Sequence, residues 1–228
     1  MIATLVLAAA LQVPTNVPAD AEVIYPVMPK LTTSAGVVLS QSIQGVTATL
    51  TKDEVSYDVL ALYKNTTNMA GTATLELKFE SWRSGFGQAI KVEALWSDQL
   101  VAQTKATAVQ SLPEKGQLGV YTISYTLPVK KQATHSLKLK FKLPIGVSGV
   151  DREERMVAYR VTNIGQAQAL SQFRMAVKFD PSLVFAPIES KPDWGWQVGP
   201  EGAYLKLDGR PSDSDAVLTF RYYPPSFD

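Results

Sequence analysis

The stretch Leu137-Lys138-Leu139-Lys140-Phe141-Lys142-Leu143 alternates apolar and charged residues with a period of two. That spacing sorts the apolar side chains onto one face of an extended strand and the lysines onto the other, a separation that helical geometry cannot achieve. Leu75-Glu76-Leu77-Lys78-Phe79 and Met175-Ala176-Val177-Lys178-Phe179 repeat the theme. From Gly36 onward, runs rich in Val, Thr, Tyr, Phe and Leu are separated by Gly, Pro, Asn and Asp, and none sustains a helical period. Strands are expected at 37–50, 55–63, 72–79, 90–96, 118–127, 136–143, 156–161, 173–179, 203–207 and 216–222. Residues 100–111, with Ala102, Ala106 and Ala108, suit either strand or helix. The fold class is all-β.

An internal similarity orders these runs. Residues 57–67 lead to Leu75–Phe79 much as 156–165 lead to Met175–Phe179: a strand, a polar exit, an Asn turn at Asn65 or Asn163, then a strand closing on Lys-Phe. The spacing is that of an antiparallel pair joined by a modest loop. It predicts two tandem antiparallel β-sandwiches, residues 36–145 and 150–228, divided at Pro144-Ile145-Gly146-Val147-Ser148-Gly149, with residues 22–35 as an N-terminal linker.

The turn Val161-Thr162-Asn163-Ile164-Gly165, with the alternating strand and Leu183-Val184-Phe185 after it, resembles immunoglobulin-like modules that recur in exported bacterial surface proteins, including cell-adhesion-related domains. Phe179-Asp180-Pro181-Ser182-Leu183-Val184-Phe185 is similar to the corresponding stretch of cohesin-like sandwiches. The resemblance covers the last third best, and it implies a sandwich fold and an extracytoplasmic address rather than a particular activity.

The start of the chain points to the same address. An uncharged apolar run from Ile2 to Leu11 and a polar Pro/Asn stretch precede Ala19-Asp20-Ala21, which suits signal-peptidase cleavage before Glu22, although no Lys or Arg stands ahead of the run. Residues 1–21 therefore read as a signal peptide of a bacterial secreted or periplasmic protein. There are no cysteines, so packing alone must hold the fold. The 22 basic and 21 acidic residues give no global field toward nucleic acid. No later segment is apolar for long enough to span a bilayer.

Chemistry is sparse. His135, the one histidine, is the only conventional base; it sits in the polar turn before a strand and reads as an exposed turn residue, with no Gly-x-Ser-x-Gly elbow to supply a nucleophile. Glu153 and Glu154 are adjacent, which in a strand sends them to opposite faces and away from a glycosidase pair. Asp208, Asp213 and Asp215 share one loop and offer oxygen ligands for calcium, with a solvated turn as the competing reading. Gly85-Phe86-Gly87 lacks the third glycine of a phosphate loop, and no cofactor is implied. The stripe Lys138, Lys140, Lys142 reads as solvated charge guarding an edge, or as a patch for an acidic polymer.

Aromatic residues carry the binding expectation. Trp194 and Trp196, separated by Gly195, share a face if their segment is extended and then form a platform for a sugar ring or an apolar anchor; core burial is the competing reading. Trp82, beside Arg83 and Gly85, is a second candidate. The expected function is non-enzymatic binding, adhesion or assembly with a protein or polysaccharide partner outside the cytoplasm. A carbohydrate-binding accessory module using Trp194 and Trp196 is the alternative, and a carboxylate-based glycosidase ranks third.

Overall fold

The computed structural model describes residues 22–83, 85–112, 117–147, 153–162, 172–208 and 215–225. The expected signal peptide, and Asn163 with the Gly165 turn, lie outside them. Along the first half run β1 (Ile24–Pro26), β2 (Lys30–Thr33), β3 (Leu39–Leu50), β4 (Glu54–Asn65), β5 (Gly71–Ser81), β6 (Val92–Trp96), β7 (Gln99–Leu100), β8 (Gln103–Val109), β9 (Gly119–Val129) and β10 (Thr134–Pro144). Then come β11 (Gly146–Val147), β12 (Arg155–Thr162), β13 (Gln172–Lys178), β14 (Ala186–Lys191), β15 (Gln197–Gly199), β16 (Gly202–Asp208) and β17 (Asp215–Tyr223). All ten expected strands form, and the ambiguous 100–111 stretch resolves as strand β8.

The layers are sandwich-like. One sheet has eight strands in the order β15-β16-β13-β3-β4-β10-β6-β7. Facing it are a five-stranded sheet, β1-β5-β9-β8 with β2 also on β5, and a four-stranded sheet, β11-β12-β17-β14. Alternation drives this layering. In β10, Leu137, Leu139, Phe141 and Leu143 are buried while the lysines between them stay exposed, and each such burial contributes about 1.5–3 kcal/mol.

Both smaller sheets pack on the same face of the large one. Trp96 Nε1–H donates to Pro128 O at 2.7 Å, and Phe79 meets Phe141 edge-on at 5.2 Å, joining the five-stranded sheet to it. Tyr57 OH donates to Ala158 O at 2.9 Å, and Gln44 Nε2–H donates to Tyr159 OH at 2.9 Å, joining the four-stranded sheet. Burial raises the Tyr57 and Tyr159 pKa values, so both phenols stay protonated at neutral pH.

Three expectations are corrected. The stretch 22–35 is no linker: β1 and β2 pair with β5, Val27 and Met28 bond to Lys78 and Arg160, and Val23, Ile24, Tyr25 and Met28 are buried, so this segment stitches the two smaller sheets side by side. The strand-turn-strand units are not hairpins either, because β4 and β5, like β12 and β13, lie in opposite layers. Five residues suffice to cross the roughly 10 Å between layers. Finally, the two expected modules share a sheet: β13 pairs in parallel with β3 from Gln172↔Ile43 to Lys178↔Thr49. One cluster of buried side chains takes members from all three sheets.

Candidate functional site

The Trp194 and Trp196 segment connects two sheet edges. β14 ends the four-stranded sheet and β15 ends the eight-stranded one, and residues 192–196 cross from the first edge to the second. The crossing is not extended. Gly195 has φ 80, a left-handed conformation that suits glycine, and Trp194 N–H donates to Pro192 O at 2.8 Å, tightening the turn. The strict alternation needed for a two-indole platform is therefore broken. Both indoles are half-buried against the main core, and Trp196 Nε1–H donates to Pro192 O at 3.1 Å.

Where the two edges part, the sandwich leaves an open cleft of about 460 Å³ lined by Phe179, Pro181, Val184, Pro187, Val198, Gly199 and Pro200. Its walls follow from local sequence. In Phe179-Asp180-Pro181-Ser182, the Asp180 carboxylate accepts from Ser182 N–H at 2.9 Å and from Ser182 Oγ–H at 2.7 Å, capping a short 3-10 turn whose first residue is Pro181. The hydrogen bonds from Ser182 hold the Asp180 pKa below the usual carboxylate range. That turn aims Phe179 and Val184 inward and leaves Phe185 79% exposed. Phe179 stacks on Phe220 at 5.5 Å, which stacks on Tyr222 at 5.9 Å, giving the cleft an aromatic foundation. Pro187 and a β-bulge at Pro187/Glu189 mark β14 as an edge that cannot pair further at that point.

The other sequence candidates fall elsewhere. Trp82 is half-buried at the exit of β5, and its carbonyl accepts from Ser111 Oγ–H at 3.0 Å. The structure does not bring it to the cleft lining. Asp213 lies outside the described residues, as do the side chains of Asp208 and Asp215.

His135 is not an exposed turn residue but 3% exposed, stacked on Trp96 at 4.7 Å. Its Nε2 accepts from Lys130 N–H at 3.2 Å, which places the neutral ring's proton on Nδ1, facing Ser97 Oγ at 3.0 Å. Ser97 therefore accepts from the imidazole and cannot lose a proton to it, so this Ser-His contact is the reverse of a nucleophile-base pair. Burial, aided by the nearby Lys130 charge, keeps the His135 pKa below its ordinary value.

The lysine stripe and the buried glutamates are structural as well. The lysine stripe does not guard an edge, since β10 lies between β4 and β6, and Lys138, Lys140 and Lys142 face Asp98, Asp58 and Glu54 at 2.6, 4.0 and 3.3 Å. Glu154 is buried in a two-pronged pair with Arg221, and Glu80 meets Arg160 at 2.5 Å. Asn65 is fully buried: Nδ2–H groups donate to Met69 O and Lys130 O at 2.8 and 2.9 Å, while Oδ1 accepts from Thr67 N–H at 3.0 Å.

The cleft was not foreseen, because its walls come from segments 179–187 and 198–200 that only the sheet edges bring together. Its one sequence signal was the Asp-Pro-Ser turn. Among the described residues no side chain of its lining titrates, so they can grip an apolar surface but supply no acid, base or nucleophile.

No family model and no curated protein matches this chain. Among solved structures, one from Legionella pneumophila, described as "a putative nutrient binding protein", is similar with a TM-score of 0.63 at 14% identity, over 89% of this chain and 72% of that one. At that identity the likeness is one of fold. A Parabacteroides distasonis structure described as "a putative protease" aligns over 82% of this chain and 40% of its own at 9% identity and a TM-score of 0.39, too distant to bear on fold or function.

Proposed function

We propose that the protein is a non-catalytic binding protein acting outside the cytoplasm, in adhesion or assembly, with the cleft between β14 and β15 as its binding surface. The carrying observation is the lining: Phe179, Val184, Val198 and three prolines surround about 460 Å³ with no titratable group among them. Concave, mostly apolar sites of this size take ligands or a partner's anchoring side chain. The extracytoplasmic address rests on the apolar run 2–11 and the Ala19-Asp20-Ala21 site. The resemblance of the stretch 161–185 to immunoglobulin-like modules of exported surface proteins adds an adhesive context. The name of the Legionella structure, which concerns nutrient binding, accords with a binding role.

The second reading, carbohydrate recognition through Trp194 and Trp196, is favoured by their place on the connection between the two cleft-forming edges. Val198→Asp separates binding from folding, because Val198 is 49% exposed and surface changes of this kind shift stability by about 0.5 kcal/mol or less. The variant is expected to lose binding to the ligands that the parent selects from glycan and peptide arrays, with its thermal midpoint retained. Unchanged binding would remove the cleft. Turnover of an ester, glycoside or peptide substrate by the parent protein would refute the non-catalytic reading.

A further inference from the structure

The outer face of the eight-stranded sheet is solvent-exposed, and its register sets what stands side by side at the β13 and β16 end. Arg174 is opposite Lys206, Ala176 opposite Tyr204, and Lys178 opposite Gly202. On the next strand, β3 contributes only Gly45, Thr47 and Thr49 alongside them, so nothing bulky rises from that side. Tyr204 is 45% exposed. A Cβ on Gly202 would lie 3.1 Å from the Tyr204 hydroxyl and 3.3 Å from its Cε2, which shows that the ring lies down along its strand over the glycine. One face of the ring is thereby turned to solvent.

The charge around this ring differs from that on β10, where each lysine faces a carboxylate. Arg174 and Lys178 have no carboxylate partner among the described residues. Four positions apart on one strand, they stand about 13 Å from each other, flanking the row that holds Tyr204. In a chain whose total charge is only +1, this is a local cationic bracket around an open aromatic face.

We propose that this face binds an acidic saccharide of the uronic acid class. A pyranose ring stacks on Tyr204, and the carboxylates of the sugars on either side meet Arg174 and Lys178. A guanidinium and an ammonium select carboxylate, and an aromatic ring laid flat offers its face to the C–H face of a pyranose. The choice of a glycan among acidic polymers rests on the extracytoplasmic reading above. The site is separate from the cleft, since Val198 pairs with Ala203 on the inner face while Tyr204 points outward.

Affinity electrophoresis and titration calorimetry with polygalacturonate, fully methyl-esterified polygalacturonate, polyglutamate and single-stranded oligothymidylate test this. Polygalacturonate is expected to bind in low salt and to weaken as salt rises. Tyr204→Ala should weaken it by about fivefold or more, given a stacking scale of about 1–3 kcal/mol for an exposed aromatic. Tyr204→Phe should retain binding, Arg174→Gln with Lys178→Gln should abolish it, and Val198→Asp should leave it unchanged. Equal binding of the esterified polymer would overturn the role of the cations. Equal binding of polyglutamate or oligothymidylate, no effect of Tyr204→Ala, or no polygalacturonate binding by a folded parent would overturn the saccharide assignment. Cleft binding lost in Val198→Asp would still stand in each of those cases.

Discussion

At the scale of single residues, burial decides what polar groups can do. His135 is the chain's one histidine, and its pKa is lowered in the fold by burial. The unfolded chain protonates it near pH 6.5 whereas the folded chain does not, so its contribution to stability is complete above about pH 6.5 and is lost as pH falls from there through the folded pKa. Thermal midpoints between pH 7 and 5 should therefore decline, and His135→Gln should flatten the part of that slope nearest pH 6.5. Tyr25 gives the opposite kind of test. It is 2% exposed, and its hydroxyl has no hydrogen-bond partner among the described residues. A buried hydroxyl without a partner costs about 1–3 kcal/mol, so Tyr25→Phe is expected to leave stability unchanged or raise it by about 1 kcal/mol, read from denaturant midpoints.

Between elements, the N-terminal segment and one ion pair hold the two smaller sheets together. Glu80 on β5 and Arg160 on β12 have side chains only 10% and 5% exposed, and the Val27↔Arg160 bridge runs beside them. Removing one partner of a buried pair takes the close opposite charge away from its counterpart, at a cost of about 3–5 kcal/mol. Glu80→Ala should destabilise by that amount in chemical denaturation. Replacing Glu80 and Arg160 together by Met is expected to recover much of the loss, because a well-packed apolar pair no longer carries a buried charge. If the double variant were no more stable than Glu80→Ala, the junction would depend on the charges themselves.

Across the whole molecule, the parallel pairing of β3 with β13 makes the two halves dependent on each other. β13 lies between β3 and β16, so cutting the chain near residue 148 and separating the pieces exposes the inner edge of β13 and the inner face beneath it. Calorimetry of residues 22–228 is expected to show one cooperative transition with matching calorimetric and van't Hoff enthalpies. Residues 22–147 expressed alone should lack a comparable transition. Two resolved transitions, each reproduced by an isolated half, would show that the shared sheet contributes little.

Alternation along β4, β5, β10 and β13 was enough to specify strands and the inward faces of Leu137, Leu139, Phe173 and Met175, because a two-residue period acts within one segment and owes nothing to its partner. The turn at Asp180-Pro181-Ser182 was not read from the sequence, where that stretch stood out only by its similarity to cohesin-like sandwiches. Pairing was not legible either. Nothing in residues 39–50 says that one neighbour lies more than a hundred positions away and runs parallel, since every strand offers the same backbone donors and acceptors at its edges. Nor could alternation show that β4 and β5 part into opposite layers, that residues 22–33 become strands, that Gly195 turns the tryptophan segment, or that Tyr204 stands between Arg174 and Lys178. Those arrangements depend on which edges meet and which faces must be covered, and both are settled by burying one common core.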